Sequence, residues 1–363
     1  MCGILATIGD INNNISKSEF HSALTLLSHR GPNDSGFDEF YGNKLGHTRL
    51  SIMDLSVSGH QPMYSENQEV ALIFNGEIYN FKELRQGLGD LGVRFNSDSD
   101  TEVLLQSYLQ YGIDCIQKFI GMFAFIIIDK RSAHNCTYVV RDRLGIKPLF
   151  YFNKGDSYIF SSEVKSILAL AKQKFDLNKR TVSSYFSYRY SILDETFFDG
   201  IKNLTPGSYL CINDKGTSEH KYWQLADFVN QKEDKGEAYY LSKIDELLHS
   251  AIKYRMISDV PFGAYLSGGV DSSLVTAIMS KYTDEPIKTY TIGFSEQGYN
   301  EFAYAECVAK LYNTQHKAIN IDATDYFNTL NKLVRYKDAP LSVPNEVPLY
   351  LMSKALKKDI TVV

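Results

Sequence analysis

Two domains of different class are predicted: a strand-rich α+β domain first, then an α/β domain built on a parallel sheet. Three observations lead there. The chain has 363 residues, enough for about two domains at ~150 residues each. Its N-terminal part is a series of short apolar runs of strand length. After the polar stretch NQKEDKG at 230–236, helical and strand patterns alternate regularly, as parallel strands joined by helices require.

In the first domain, 1–8 is an apolar opening segment read as a strand. Residues 18–28 carry Phe20, Ala23, Leu24 and Leu27 at helical spacing. Segments 70–74 and 123–128 have the length of buried strands. Val103, Leu104 and Tyr108 make 101–111 helical, and 138–140, 149–152 and 158–161 add strands. The domain is read as 1–210, followed by a linker over 211–236. In the second domain, 237–363, helices are expected at 238–254, 272–281, 301–312, 326–336 and 349–357. Strands are expected at 262–266, 287–292, 317–321 and 360–363. Ending on an apolar strand, this domain reads as cut short, because parallel strands are normally followed by a crossover.

Composition narrows the function. Apolar residues are 44% and charged residues 22%, an ordinary globular balance that excludes a disordered chain or a coiled-coil rod. The net charge of −5 offers no basic surplus for nucleic acid or an anionic membrane. The longest apolar run, 119–128, is about half the ~20 residues that a bilayer requires. No signal peptide is visible. The cysteines are Cys2, Cys115, Cys136, Cys211 and Cys307. An odd count without a CxxC pair suggests neither a disulfide framework nor a zinc site. A cytoplasmic setting is expected.

The first chemical signal is Cys2-Gly3-Ile4 behind Met1. Removal of Met1 would leave a thiol and an amine on one residue. With ordinary pKa values of about 8.5 and 7.7–8.0, the amine can take the thiol proton, so nucleophile and base coincide. A chance cysteine in a strand is the bland alternative. Other residues tilt the balance. Asn75-Gly76-Glu77 closes an apolar strand. It can be a plain hairpin turn, or it can offer a side-chain amide and a backbone N–H to an oxyanion. One such donor is worth about 3–4 kcal/mol of barrier. Arg49 can hold a carboxylate bidentately, and Glu77 and Asp100 can hold an ammonium. An amino acid with a side-chain amide needs that set.

These motifs, with His29-Arg30-Gly31-Pro32, Arg49-Leu50-Ser51-Ile52, Gly121-Met122-Phe123-Ala124-Phe125 and the run from Arg141 to Leu149, resemble the class II glutamine amidotransferase domain. Their order, with the motif further on, is similar to that of the glutamine-dependent asparagine synthetase family. The resemblance covers essentially the whole chain. It implies an αββα sandwich of the N-terminal nucleophile hydrolase type. It implies Cys2 as nucleophile, Asn75 and Gly76 at the oxyanion, Arg49 and Leu50 on glutamine, and Glu77 and Asp100 on its ammonium. Asn33 departs from the Asp usual in the family.

The second signal is Ser267-Gly268-Gly269-Val270-Asp271-Ser272-Ser273, between a strand and a helix. Glycines admit a phosphate, the helix N-terminus offers free N–H groups, and Asp271 can hold Mg²⁺ beside the phosphates. No Gly-Lys-Ser ending follows, so this is not a Walker A loop. The segment resembles the pyrophosphate loop of the ATP-pyrophosphatase family. That likeness implies nucleotide contacts from Leu266, Ser267, Gly268, Gly269, Asp271, Ser272 and Ile292. It also points to Asp338 and Pro340. Plain core remains an alternative for Leu266 and Ile292. The second Ser-Gly-Glu-Gly loop of the family is absent from this sequence.

Together these features imply glutamine-driven amide synthesis, with glutamine, aspartate and ATP as small-molecule substrates and Mg²⁺ as cofactor. Neither nucleic acid nor a membrane is an expected partner. Oligomeric state stays open, a homodimer being one option. Three alternatives also stay open: glutaminase activity alone, another acceptor such as a sugar acid, and a ligand-sensing module.

Overall fold

The computed structural model describes residues 1–363 apart from 132–134, 193, 230–232, 297 and 299. The chain divides into two compact units, Met1–Gln231 and Lys232–Val363.

The first unit contains, in order, β1 (Gly3–Ile8), α1 (Lys17–Thr25), β2 (Asp34–Phe40), β3 (Asn43–Arg49), β4 (Met63–Tyr64), β5 (Val70–Ile78), α2 (Phe81–Asp90), α3 (Asp100–Tyr111), β6 (Gly121–Asp129), β7 (Cys136–Arg141), β8 (Phe150–Lys154), β9 (Ser157–Ser161), α4 (Val164–Leu170), α5 (Lys179–Tyr188), β10 (Ile201–Asn203), β11 (Ser208–Asn213) and β12 (Gly216–Lys221). They form two antiparallel sheets, β10-β8-β9-β1-β3-β2 and β12-β11-β7-β6-β5-β4.

Side-chain alternation along β1 explains the layering. Ile4, Ala6 and Ile8 enter a core shared with Leu45, Ile73, Ile126 and Phe160, and so lie between the sheets. Leu5 points the other way, onto Phe20, Leu24 and Leu27 of the α1 region and Ile167 of α4. A strand buried on both faces reads as a continuous apolar run, which is why GILATI is legible in the sequence. α1 begins at a reciprocal capping box between Ser16 and Glu19, worth about 1 kcal/mol. Beyond the second sheet, α3 is tied down at both ends. Tyr108 donates to Asp129 Oδ2 at 2.7 Å, and the Ile78 N–H donates to Asp100 Oδ2 at 2.9 Å. The layer order is therefore helix, sheet, sheet, helix, as expected.

One expected boundary is corrected. Residues 211–221 are not linker: β11 pairs with β7 and β12 with β11, extending the second sheet. The β12 residues GTSEHK are polar because most are solvent-exposed. Part of the predicted linker, 230–232, lies outside the described residues. Strands β2 and β3 went unpredicted because NKLGHTR looks like a surface segment. Yet all of β3 is buried, and two of its polar side chains reach carbonyls of distant segments. Lys44 donates to Asn12 O at 3.1 Å, and Thr48 to Leu27 O at 3.2 Å.

The second unit contains α6 (Glu237–Arg255), β13 (Gly263–Tyr265), α7 (Val270–Met279), β14 (Lys288–Phe294), α8 (Phe302–Leu311), β15 (Gln315–Ile321), α9 (Ala323–Lys337) and α10 (Glu346–Leu356). The three strands are parallel, in the order β13-β14-β15. The expected strand at 360–363 appears only as a single parallel bridge, Phe262 to Val362. It is held by the Gly263 N–H on Val362 O at 3.0 Å. That bridge lies on the opposite edge of β13 from β14, so the winding direction reverses at β13. In open α/β sheets, ligands bind beyond the carboxyl ends of strands at such a reversal.

Candidate active site

Cys2 stands just before β1, and β1 pairing with β3 sets Gly3 opposite Thr48. A Cβ on Gly3 would lie 2.6 Å from Thr48 Oγ1 and 2.9 Å from Leu27 Cβ, so only glycine lets the two strands meet there. Register then brings Cys2 to Leu50, whose N–H donates to the sulfur at 3.4 Å. Arg30 Nε donates to the Cys2 carbonyl at 2.9 Å while its Nη1 holds Glu163 at 3.0 Å.

Around the sulfur is a cavity lined by Cys2, Arg49, Leu50, Asn75, Gly76, Glu77 and Asp100. The fold thus brings together every first-domain residue expected from the sequence. Met1, Gln61 and Lys147 also line it. Burial pushes the Cys2 thiol up, and the Leu50 N–H, the terminal amine and Lys147 pull it back down. Burial lowers the Met1 amine to about 5, with Cys2 opposing and Lys147 and Arg30 assisting. The Met1 amine is thereby a free base at neutral pH.

Asn75 is fully buried, and both polar atoms of its side chain lack a partner among the described residues. An unsatisfied buried donor costs about 1–3 kcal/mol, which a ligand would relieve. Gly76 faces Phe123 across β5 and β6. A Cβ there would come within 2.4 Å of Met122 O and 2.6 Å of the Phe74 ring. Phe123 turns its N–H and carbonyl toward Asp142, so the Gly76–Phe123 pair is a non-hydrogen-bonded one. The Gly76 N–H therefore points to the other edge of β5. On that edge the neighbouring N–H groups are taken: Phe74 by Gln61 Oε1 at 2.6 Å, and Ile78 by Asp100 Oδ2 at 2.9 Å. The Gly76 N–H lies between them on that edge.

Arg49 is buried at 6% exposure. Its guanidinium donates to the carbonyls of Ser56 (2.7 Å), Met53 (3.4 Å) and Asp54. Those bonds employ three of its five N–H groups. Asp100 is raised to about 7, by burial first and by the Glu77 charge beside it, against the bond from Ile78. A substrate ammonium would favour its charged form. Asn33, the departure from the family pattern, accepts the Ser51 N–H at 3.0 Å, a task an amide oxygen performs as well as a carboxylate.

In the second unit, Leu266 is buried at the end of β13, and its carbonyl accepts from Thr291 Oγ1. Gly268 has φ +81°, and a Cβ would lie 2.5 Å from the Tyr304 backbone, so both conformation and space demand glycine. Ser267 and Ser272 hydroxyls meet at 3.0 Å, and the Gly269 N–H donates to Ser267 Oγ at 3.2 Å. These bonds fold the loop onto the N-terminus of α7, which puts Asp271 in its first turn. A cavity of about 590 Å³ opens beside it, lined by Leu266, Ser267 and Ile292 with Tyr290, Thr291 and Met352. Gly268, Gly269, Asp271 and Ser272 continue the loop outside that lining. Asp338, at φ +55° just past α9, and Pro340 do not line it either.

Sequence reasoning assigned no role to Gln61 or Lys147. Lys147 lay in the recognised motif from Arg141 to Leu149, so its signal was present but unused.

Comparison with known proteins agrees with this layout. Residues 1–223 match the glutamine amidotransferase domain family, and 243–363 match the asparagine synthase family. A Methanocaldococcus jannaschii protein provisionally named as a glutamine-hydrolysing asparagine synthetase is 35% identical over all of this chain and 73% of its own length. Asparagine synthetase 1 of Bacillus subtilis is 36% identical over 93% of this chain and 52% of its own length. For asparagine synthetase 3 of the same organism the figures are 31%, 100% and 61%. The chain thus spans between about half and three-quarters of these relatives. It belongs to the family of glutamine-hydrolysing asparagine synthetases.

Proposed function

We propose that the first unit hydrolyses glutamine and that the ammonia serves ATP-dependent conversion of aspartate to asparagine. The carrying observation is a buried, unpartnered Asn75 amide in the same cavity as the Cys2 thiol. With Met1 removed, the Cys2 amine takes the thiol proton and the sulfur attacks the side-chain amide carbon. The remaining Arg49 donors hold the α-carboxylate, and Glu77 with Asp100 hold the α-ammonium. Asn75 Nδ2 and the Gly76 N–H receive the oxyanion. The amine returns its proton to the leaving nitrogen, ammonia departs, and water hydrolyses the thioester to glutamate.

In the second unit, the Gly268 turn and the α7 N-terminus suit a polyphosphate, and the 590 Å³ cavity suits a nucleotide. The aspartate side-chain carboxylate attacks the α-phosphorus and pyrophosphate leaves. Ammonia then displaces AMP from the acyl-adenylate. Asp271 would hold Mg²⁺, which neutralises phosphate charge. A single carboxylate suffices, since Mg²⁺ commonly takes one or two carboxylates plus phosphates and water. No described helix is long and apolar enough to cross a membrane. A cytoplasmic homodimer belongs to the same proposal.

The test supplies glutamine labelled with ¹⁵N at the amide as sole nitrogen donor, with aspartate, ATP and Mg²⁺. The expected result is labelled asparagine and stoichiometric AMP. Labelled ammonia without AMP would reduce the activity to glutaminase alone.

A further inference from the structure

One cation in the glutaminase cavity has no part in the mechanism above. Lys147 is 3% exposed and lines the cavity with Cys2 and Glu77. Its backbone is clamped on both sides. The Lys147 N–H donates to Asp142 Oδ2 at 2.9 Å, and its carbonyl accepts from Arg141 Nε at 2.9 Å. Asp142 also gathers the N–H groups of Phe123, Leu144 and Ile146, at 3.2, 3.1 and 3.0 Å. The turn after β7 is thereby a rigid bracket presenting Lys147. Among the described residues, no hydrogen bond or salt bridge engages its ammonium.

A buried, unpaired cation is unfavourable, and burial does lower the Lys147 pKa; Glu77, Cys2 and Asp142 oppose this and Arg30 adds to it. The cavity shows why a cation is useful there. The carboxylates suited to a substrate ammonium also disfavour a thiolate, and Asp100 raises the Cys2 pKa. Lys147 acts in the opposite sense on the same sulfur.

We propose that Lys147 is a positioning residue for glutamine hydrolysis: its ammonium, fixed in the Cys2 cavity by the Asp142 bracket, offsets the substrate-binding carboxylates and favours the Cys2 thiolate. This rests on the glutaminase reading.

The test measures alkylation of Cys2 by iodoacetamide against pH in the full chain, read by peptide mass spectrometry. Cys307, exposed in the second unit, is the internal reference. In Lys147→Gln, the Cys2 midpoint should rise by about one pH unit, slowing alkylation about tenfold at pH 7. Glutaminase kcat should fall more than KM changes. Lys147→Arg should restore the profile to within about threefold, with Cys307 unchanged throughout. An unmoved Cys2 profile in Lys147→Gln would overturn the proposal, as would equal loss in the Gln and Arg variants. If Lys147→Gln does not fold, Lys147→Met takes its place under the same criteria. Failure of the glutaminase reading itself looks different: Cys2→Ala would keep releasing ammonia.

Discussion

In the first unit, Arg49, Asn75 and Asp100 are buried, whereas in the second Ser267, Gly269 and Asp271 are exposed. The contrast follows from the chemistry each region suits. Attack on an amide needs a sulfur, a base and oxyanion donors already aligned, in a setting where water does not screen them. A polyphosphate brings its own charge, so backbone N–H groups at a helix end and a glycine turn suffice. One site is made by side chains converging from β1, β3, β5, α3 and the turn after β7. The glycine loop of the other is a single strand-loop-helix passage, set beside a cavity that β14 and α10 also line. Substitutions should therefore act at a distance in the first and locally in the second.

The largest expected effect separates the two regions. Cys2→Ala should lower glutaminase activity by about 10⁴-fold or more while leaving ATP binding, followed by calorimetry, unchanged. Loss of both would show that the regions are not separable. Next, Asn75→Ala should lower kcat for glutamine by about 10²–10³-fold with little change in KM. A matching rise in KM would instead make Asn75 a ground-state contact.

Gly268→Ala probes the second region. Its positive φ and the contact with Tyr304 should weaken ATP binding about tenfold and cost about 1–3 kcal/mol of stability in that unit. Glutaminase activity should be untouched. Unchanged ATP affinity would remove the loop from the site.

The smallest effect is on pH dependence. Asp100, raised to about 7, is neutral below that pH and then cannot pair with an ammonium. KM for glutamine should rise by up to about tenfold per unit as pH falls below 7, and Asp100→Asn should flatten that dependence. The linkage sign for the empty protein is the reverse. The stability contribution of a raised carboxyl is complete below its ordinary value of 3.8 and is lost as pH rises through about 7. Denaturant melts at pH 5 and 8 should show the difference shrinking in Asp100→Asn.

Much of this was legible because some constraints are local. The GILATI run, the glycine loop before α7 and the alternation after 236 each act within a few residues. Glycines at 3 and 76 and the polar β3 were harder. Their reasons are a neighbouring backbone or side chain tens of residues away, as with Gly76 against Met122. Likewise, 211–221 looked like linker because a polar edge strand is defined by the strand it joins: β12 is held by β11, and β11 by β7.

By itself, the sequence determined the helix and strand types over most of the chain, a thiol at the second position and a glycine-containing turn after β13. Those follow from spacing, glycine content and residue chemistry, which need no partner. Only the tertiary structure decided that the Asn75 side chain is left unpaired among the described residues, that burial raises Asp100 to about 7 and that Lys147 lines the cavity that holds Cys2. Burial and electrostatic coupling depend on groups that meet only when the sheets and the α3 layer close.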